Sequence, residues 1–457
     1  MEYDDFIKHK IKTAPKVGFK IKDDWLNDNL FDYQKEIVAR ACDHGKYALF
    51  MDTGLGKSIT QMNYADAVNR HTNKPVLMLA PLAVVYQMLK EAGKFGFELN
   101  HAKDNNSIKN GLNITNYESL HKLDSSLFSC VVLDESSILK GFDSKTRRYL
   151  TDEFRHTKFK LACTATPSPN DFVELGTHSE FLNNYTVAEM KMIYFTQDRA
   201  NTAEFILKGH SEDKFWEWIA SWAECLTSPA DLGYDGSSHI LPPLNEVYHE
   251  ISHDDCSYES NGFLFEFAES NATTIGRNKR KTIEDRAAKV AELQNGDPHL
   301  VWCDTNAEAD KLKESMPHAV EVRGDHKEEY KAEMAMAFAD GEIQTLISKA
   351  SIFGYGMNFQ NIHNMTFTGL NYSYESYYQA VRRMYRFGQK NTVNVNVIVA
   401  DNERSILDAI HRKKAQHEKM KSAMQKAIIT AKRDSELKVD VFNEFIFPSF
   451  IHSKEVL

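Results

Sequence analysis

The sequence predicts an α/β protein built from two parallel-sheet domains. Short apolar runs alternate with helical patterns through two separate stretches of the chain, as sheets crossed by helices require. A region between them, roughly 185–286, breaks that rhythm. Directly after the first apolar run, residues 51–58 read MDTGLGKS, a glycine-rich turn where such folds bind phosphate.

The expected strands of the first half are 47–51, 76–80, 112–115, 130–134 and 160–164. Those of the second half are 299–303, 319–322, 344–348, 365–368 and 393–399, spaced by helical stretches such as 306–314 and 327–339. The middle holds an aromatic helix candidate at 214–222, a Gly/Ser/Pro loop at 228–243 and a polar, basic stretch at 273–281. Aromatic residues at helical spacing point to core rather than to a base-stacking platform. Beyond 399 the pattern is helical and basic to 433 and ends in the aromatic tail VFNEFIFPSF. The expected division is an N-terminal lobe over 1–225, a linker with small insertions over 226–290, a C-terminal lobe over 291–430 and a tail over 431–457.

At 457 residues the chain is long enough for two or three domains, each with its own core. A hydrophobic content of 42% and a charged content of 26% are ordinary for a globular protein. No apolar run approaches the ~18 residues of a membrane-spanning helix. The N-terminus, MEYDDFIKHK, lacks an apolar signal core, so a cytoplasmic protein is expected. The six cysteines are scattered without metal-ligand spacing and read as reduced, mostly buried thiols. The net charge of −10 excludes a uniformly basic coat but not a local groove that grips a phosphate backbone.

The chemistry lies in three clusters. In the first, Thr53, Gly54, Gly56, Lys57 and Ser58 follow a strand and open a helix. The glycines let backbone N–H groups close around phosphates, and the helix N-terminus adds positive potential. Lys57 is expected on the β- and γ-phosphates of ATP, and Ser58 on Mg²⁺. The longer GxxxxGK pattern fails, because Met51 stands where its first glycine would be. In the second, Asp134 and Glu135 end the apolar run CVVLDE. Asp134 suits Mg²⁺ coordination, and Glu135 suits polarisation of the attacking water. In the third, QAVRRMYRFGQK at 379–390 places Arg383 and Arg386 three apart on a helical stretch. Guanidinium groups there would stabilise charge on a transferring phosphoryl group.

These motifs and others, in order from about residue 30 to 414, resemble a superfamily-two helicase, closest to the Swi/Snf-type DNA translocases and to their compact bacteriophage and prophage members. LFDYQ resembles the adenine-reading motif, which implies Tyr33 and Gln34 at the base. ITNYESL resembles ITxYE, DESSILKGFDSK resembles DEAH-x-LKN-x-x-SK, and TATPSPNDFVEL resembles TGTPLQNNxxEL. LPPLNEVYHEIS resembles the junctional LPPK segment, GYGMNFQ resembles AGxGLNL, and QAVRRMYRFGQ resembles QAxDRxHRIGQ. The resemblance implies two tandem RecA-like lobes with ATP in the interdomain cleft and duplex DNA across both. It implies Thr164 and Thr166 as couplers of the nucleotide site to the lobes, and Gly356 and Gln360 as sensors of nucleotide or DNA. Gln379, Arg383 and Arg386 would complete the ATP site from the second lobe.

Ser136 and Ser137 depart from the family's Ala-His, and Arg382 replaces an acid. No accessory chromatin-binding, nuclease or methyltransferase motif is recognisable, so a bare, monomeric motor is expected, in the host cytoplasm if phage-encoded. Arg277–Lys281 and the basic residues Arg412, Lys413, Lys414, Lys419 and Lys421 are candidate phosphate contacts. The rival readings are a strand-separating or branch-migrating helicase and, from another class, a non-hydrolysing ATP-gated scaffold.

Overall fold

The computed structural model describes residues 14–141, 144–198, 205–251, 279–353, 358–400 and 403–446, with side chains through 430 except at 83 and 328. Gly356, Arg277 and Cys256 lie outside the described residues. The chain divides into two compact units, one of residues 1–236 with 417–457, the other of residues 237–416.

The first unit carries strands β1 (Lys46–Met51), β2 (Val76–Ala80), β3 (Leu99–His101), β4 (Leu112–Asn116), β5 (Cys130–Asp134), β6 (Phe159–Thr164), β7 (Phe195–Gln197), β8 (Phe205–Leu207) and β9 (Ala223–Leu226). Seven of them form one sheet in the order β3-β4-β2-β5-β6-β1-β9, with every pair parallel. β7 and β8 make a separate antiparallel hairpin. The second unit carries β10 (Leu244–Ile251), β11 (His299–Cys303), β12 (Val320–Val322), β13 (Thr345–Lys349), β14 (Asn364–Phe367) and β15 (Val393–Ala400). Their order is β10-β15-β14-β11-β13-β12, again all parallel. Each unit is a parallel α/β lobe, as the alternating pattern predicts, and of the RecA-like kind that the resemblance implies. Every expected strand forms. The central ones are buried along their length because helices cover both faces of a parallel sheet.

Three features depart from the expectation. β9 flanks β1 in the cradle sheet. β10 falls inside the expected linker yet pairs with β15 over its full length. Residues 417–428 of the last helix belong to the first unit, where Met420, Met424 and Ile428 join a core containing Phe215, Trp216, Trp218 and Trp222. The aromatic helix candidate is therefore core, with the Trp218 and Trp222 rings 5.4 Å apart, edge to face.

Helix α1 (Asp32–His44) leads into β1 and stops at Gly45, whose φ of 75° turns the chain sharply. Helix α2 (Lys57–Thr72) leaves β1 through the glycine-rich turn. Helix α3 (Leu175–Phe181) follows the TATPSPNDFVEL segment. In the second unit, helix α4 (Tyr374–Val381) precedes the arginine cluster, and α5 (Arg404–Ile446) begins after β15.

Candidate functional site

The glycine-rich turn expected to cradle phosphate lies between β1 and α2. Gly54 and Gly56 have φ of 91° and 76°, values that cost other residues backbone strain. A Cβ at Gly56 would stand 2.1 Å from Gln34 Nε2 and force that side chain to move. The Thr53 hydroxyl oxygen is buried with no hydrogen-bond partner, so the cradle holds an uncommitted donor suited to a phosphate oxygen. Lys57 opens α2, and Ser58 follows it in the first turn.

β5 delivers Asp134 and Glu135 to the same place. Lys57 Nζ lies 3.5 Å from Glu135 Oε1, and both side chains are largely shielded from water. Burial alone would lower the Lys57 pKa, but Glu135 and Asp134 outweigh it and hold the ammonium above its ordinary value. Burial raises the Asp134 carboxyl to about 6 against the pull of Lys57, and the neighbouring Glu135 adds to the rise. Gln61, one helical turn beyond Lys57, donates to Asp134 Oδ1 at 3.1 Å. Tyr117, in ITNYESL, donates to the Asp134 carbonyl at 2.6 Å. Thr164 Oγ1 lies 3.5 Å from Glu135 Oε2 and accepts the Thr166 N–H at 3.1 Å. The two expected couplers therefore touch each other, and one of them touches Glu135.

Tyr33 and Gln34 grip the cradle itself. The Tyr33 hydroxyl and Gln34 Nε2 both donate to the Leu55 carbonyl, at 3.0 and 2.8 Å. Gln34 Oε1 accepts from the Phe31 N–H at 2.9 Å. The aromatic ring of this segment left open to solvent is that of Phe31, 55% exposed and stacked on Tyr33 with rings 5.9 Å apart and 9° from parallel. An exposed aromatic in LFDYQ was the available signal for it. Gln61 had a signal too, its i+4 spacing from Lys57.

In the second unit Gln379 is buried, and its side-chain carbonyl accepts from Arg383 Nη2 at 3.1 Å. Gln379 Nε2 is buried without a partner. The shared helical face expected for Arg383 and Arg386 is not present, because α4 ends at Val381, with Arg383 in a turn and Arg386 in a bend after it. The Arg383 carbonyl accepts from the Phe359 N–H at 2.9 Å, which takes it out of the helical ladder. Arg382 packs its guanidinium over the Tyr378 and Tyr385 rings, at 5.1 and 5.3 Å. Gln360 lies against Gly388, where an added Cβ would sit 3.0 Å from Gln360 Oε1.

Several basic candidates are committed to carboxylates. Lys279 pairs with Asp304, Lys414 with Glu246, Lys419 with Glu212 and Lys421 with Asp52. Lys413 Nζ donates to the Tyr372 carbonyl at 2.8 Å. Arg280, Lys281 and Arg412 remain exposed. Among the described residues no cluster of three or more His, Cys, Asp or Glu could hold a metal, and no helix is long and apolar enough to cross a membrane.

Residues 27–169 match the family described as type III restriction enzyme, res subunit, and residues 279–388 match the helicase conserved C-terminal domain. No curated protein matches the chain. A solved structure with similarity is the SWI2/SNF2 ATPase core of Sulfolobus solfataricus in complex with dsDNA, at 17% identity over 89% of this chain and 96% of that one, with a TM-score of 0.43. The first family match spans the cradle and its acidic pair, and the second reaches the arginine-bearing turns. The chain thus carries a res-subunit domain and a helicase conserved C-terminal domain, the pairing of a helicase-type, nucleic-acid-dependent ATPase.

Proposed function

We propose that the chain is a motor that couples ATP hydrolysis to movement along duplex DNA. The observation that carries the ATPase half is the Lys57–Glu135 contact beside Asp134. A cation suited to phosphate, a carboxylate suited to polarising water and a second carboxylate suited to a metal share one largely buried site, which supports this reading. The duplex half rests on the Gly-Leu-Gly and Arg-Phe-Gly-Gln segments, which resemble the DNA-translocase branch.

Oxygen donors from Ser58 and Asp134 fit Mg²⁺, a hard cation that takes hydroxyl and carboxylate oxygens. When bound, Mg²⁺ would neutralise charge on the β- and γ-phosphates. The cradle N–H groups and Lys57 hold the phosphate chain, Phe31 offers a stacking face to the base, and Glu135 orients and polarises the attacking water. Arg383 and Arg386, held by the turns after α4, are the residues that would complete the site from the second lobe.

Displacement of a third strand from a triplex-bearing duplex tests movement without unwinding. The account expects ATP-dependent displacement of the third strand while the underlying duplex stays paired. Separation of the duplex instead would favour the strand-separating helicase, and neither event despite hydrolysis would contradict the motor.

A further inference from the structure

Two serines stand at 136 and 137 where the family resembled has Ala-His, so the residues after the acidic pair bring no imidazole. The fold brings one from elsewhere. Ser136 is fully buried, and its hydroxyl shares a hydrogen bond of 3.1 Å with Nε2 of His178. His178 lies on α3, three residues past the TATPSPNDFVEL segment, and is itself fully buried. The Phe50 ring of β1 packs edge-on against it, with centroids 5.3 Å apart and planes at 85°.

What this bond braces is unusual backbone. Glu135 has φ 53° and ψ 51°, a left-handed conformation that side-chain-bearing residues avoid. Such strain persists only where the surroundings hold it, and it gathers at functional sites. The Glu135 carboxylate is steered by Lys57 and Thr164. On the main-chain side, Ser136 is the next residue, and its buried hydroxyl is tied to His178. The helix bearing His178 is anchored in turn, because Glu174 accepts from both the N–H and the side-chain amide of Asn170, at 3.0 and 2.8 Å.

We propose that His178 is a positioning residue for ATP hydrolysis, acting through Ser136 to hold Glu135 in the left-handed conformation that aims its carboxylate. The inference rests on the reading of Glu135 as the residue that polarises the attacking water. It links the segment containing Thr164 and Thr166 to Glu135 by a second route, through α3. A purely structural histidine would contribute to folding and leave turnover alone.

The test measures steady-state ATP hydrolysis by the full chain with Mg²⁺, with and without linear duplex DNA, alongside thermal unfolding. Ser136→Ala removes the hydroxyl at little steric cost. His178→Asn keeps a polar side chain that reaches only as far as Nδ1, whereas His178→Gln carries an amide to the position of Nε2. Ser136→Ala and His178→Asn are each expected to lower kcat roughly three- to tenfold, the size of one lost buried hydrogen bond. The KM for ATP should move by less than about twofold, since the effect lies in positioning and not in nucleotide binding. The double variant should be no worse than either single one, and His178→Gln should recover most of the loss. Unchanged kcat in Ser136→Ala, losses that multiply in the double variant, or losses that follow unfolding temperature in all four variants would each overturn the proposal. Glu135→Gln separates the two levels of the argument. If it still hydrolyses ATP at the parent rate, the reading of the site falls and this inference with it. If it is inactive while Ser136→Ala is fully active, only the role of His178 falls.

Discussion

Lys57 Nζ and Glu135 Oε1 are 3.5 Å apart, each serving as the other's counter-charge in a site largely shielded from water. A nucleotide phosphate entering the cradle competes with Glu135 for the same ammonium. Binding would thereby loosen the carboxylate that must act on water, so the two steps are linked through one cation.

Binding and hydrolysis should therefore separate by substitution. Lys57→Ala is expected to weaken ATP binding, and Glu135→Gln to leave binding intact while slowing hydrolysis by about 10²–10⁴-fold, as for loss of a general base. Equilibrium binding of a fluorescent ATP analogue, set beside hydrolysis rates, distinguishes the two.

Gly56→Ala should damage the cradle while the lobe stays folded. Its φ of 76° costs an alanine on the order of 1–2 kcal/mol. The new methyl group would also displace Gln34 Nε2 from its bond to the Leu55 carbonyl. The expected result is loss of nucleotide affinity with near-native circular dichroism.

Lys421 was a candidate DNA contact in the sequence, yet it pairs with Asp52, which immediately follows β1, and both are nearly buried. Lys421→Ala strips a largely buried carboxylate of this counter-charge, at a cost of up to about 3 kcal/mol. Its expected signature is a lower unfolding temperature of the first unit and an unchanged salt slope of DNA binding. Charge reversal at exposed Arg280 and Lys281 should do the opposite, flattening the slope and sparing stability.

Acid should weaken the fold through its buried histidines. Burial lowers His178 and His299 from 6.5 to about 4. With folded pKa values below the unfolded ones, their contribution is complete above pH 6.5 and lost as pH falls toward 4, on the order of 3 kcal/mol for each. Asp134, raised to about 6 by burial, works in the opposite sense, because acid relieves its buried charge. The difference between parent and His178→Gln in unfolding free energy across this range isolates the histidine, and it should shrink as pH falls.

Legibility in the sequence followed the range of the forces involved. The central expected strands, such as 76–80, 130–134 and 299–303, are predominantly apolar runs, and burial on both faces writes them plainly. β10 escaped because it is an edge strand whose residues alternate between partial and full exposure, so its membership depends on pairing with β15. β3 and β9 are three and four residues long and carry no period of their own. In the site, the cradle and acidic pair are local motifs and were readable. The helical reading of Arg383 failed because a bond from Phe359, distant in sequence, claims its carbonyl. His178 had no local signal at all, since its partner Ser136 is 42 residues away.

The most direct test of the central claim is steady-state ATP hydrolysis with no polymer and then with duplex DNA, single-stranded DNA or RNA, using Glu135→Gln as the blank. The account predicts strong stimulation by duplex DNA that the substitution abolishes. Hydrolysis no higher than the blank with every polymer would contradict it and favour an ATP-gated scaffold, and stimulation by RNA alone would contradict the DNA assignment.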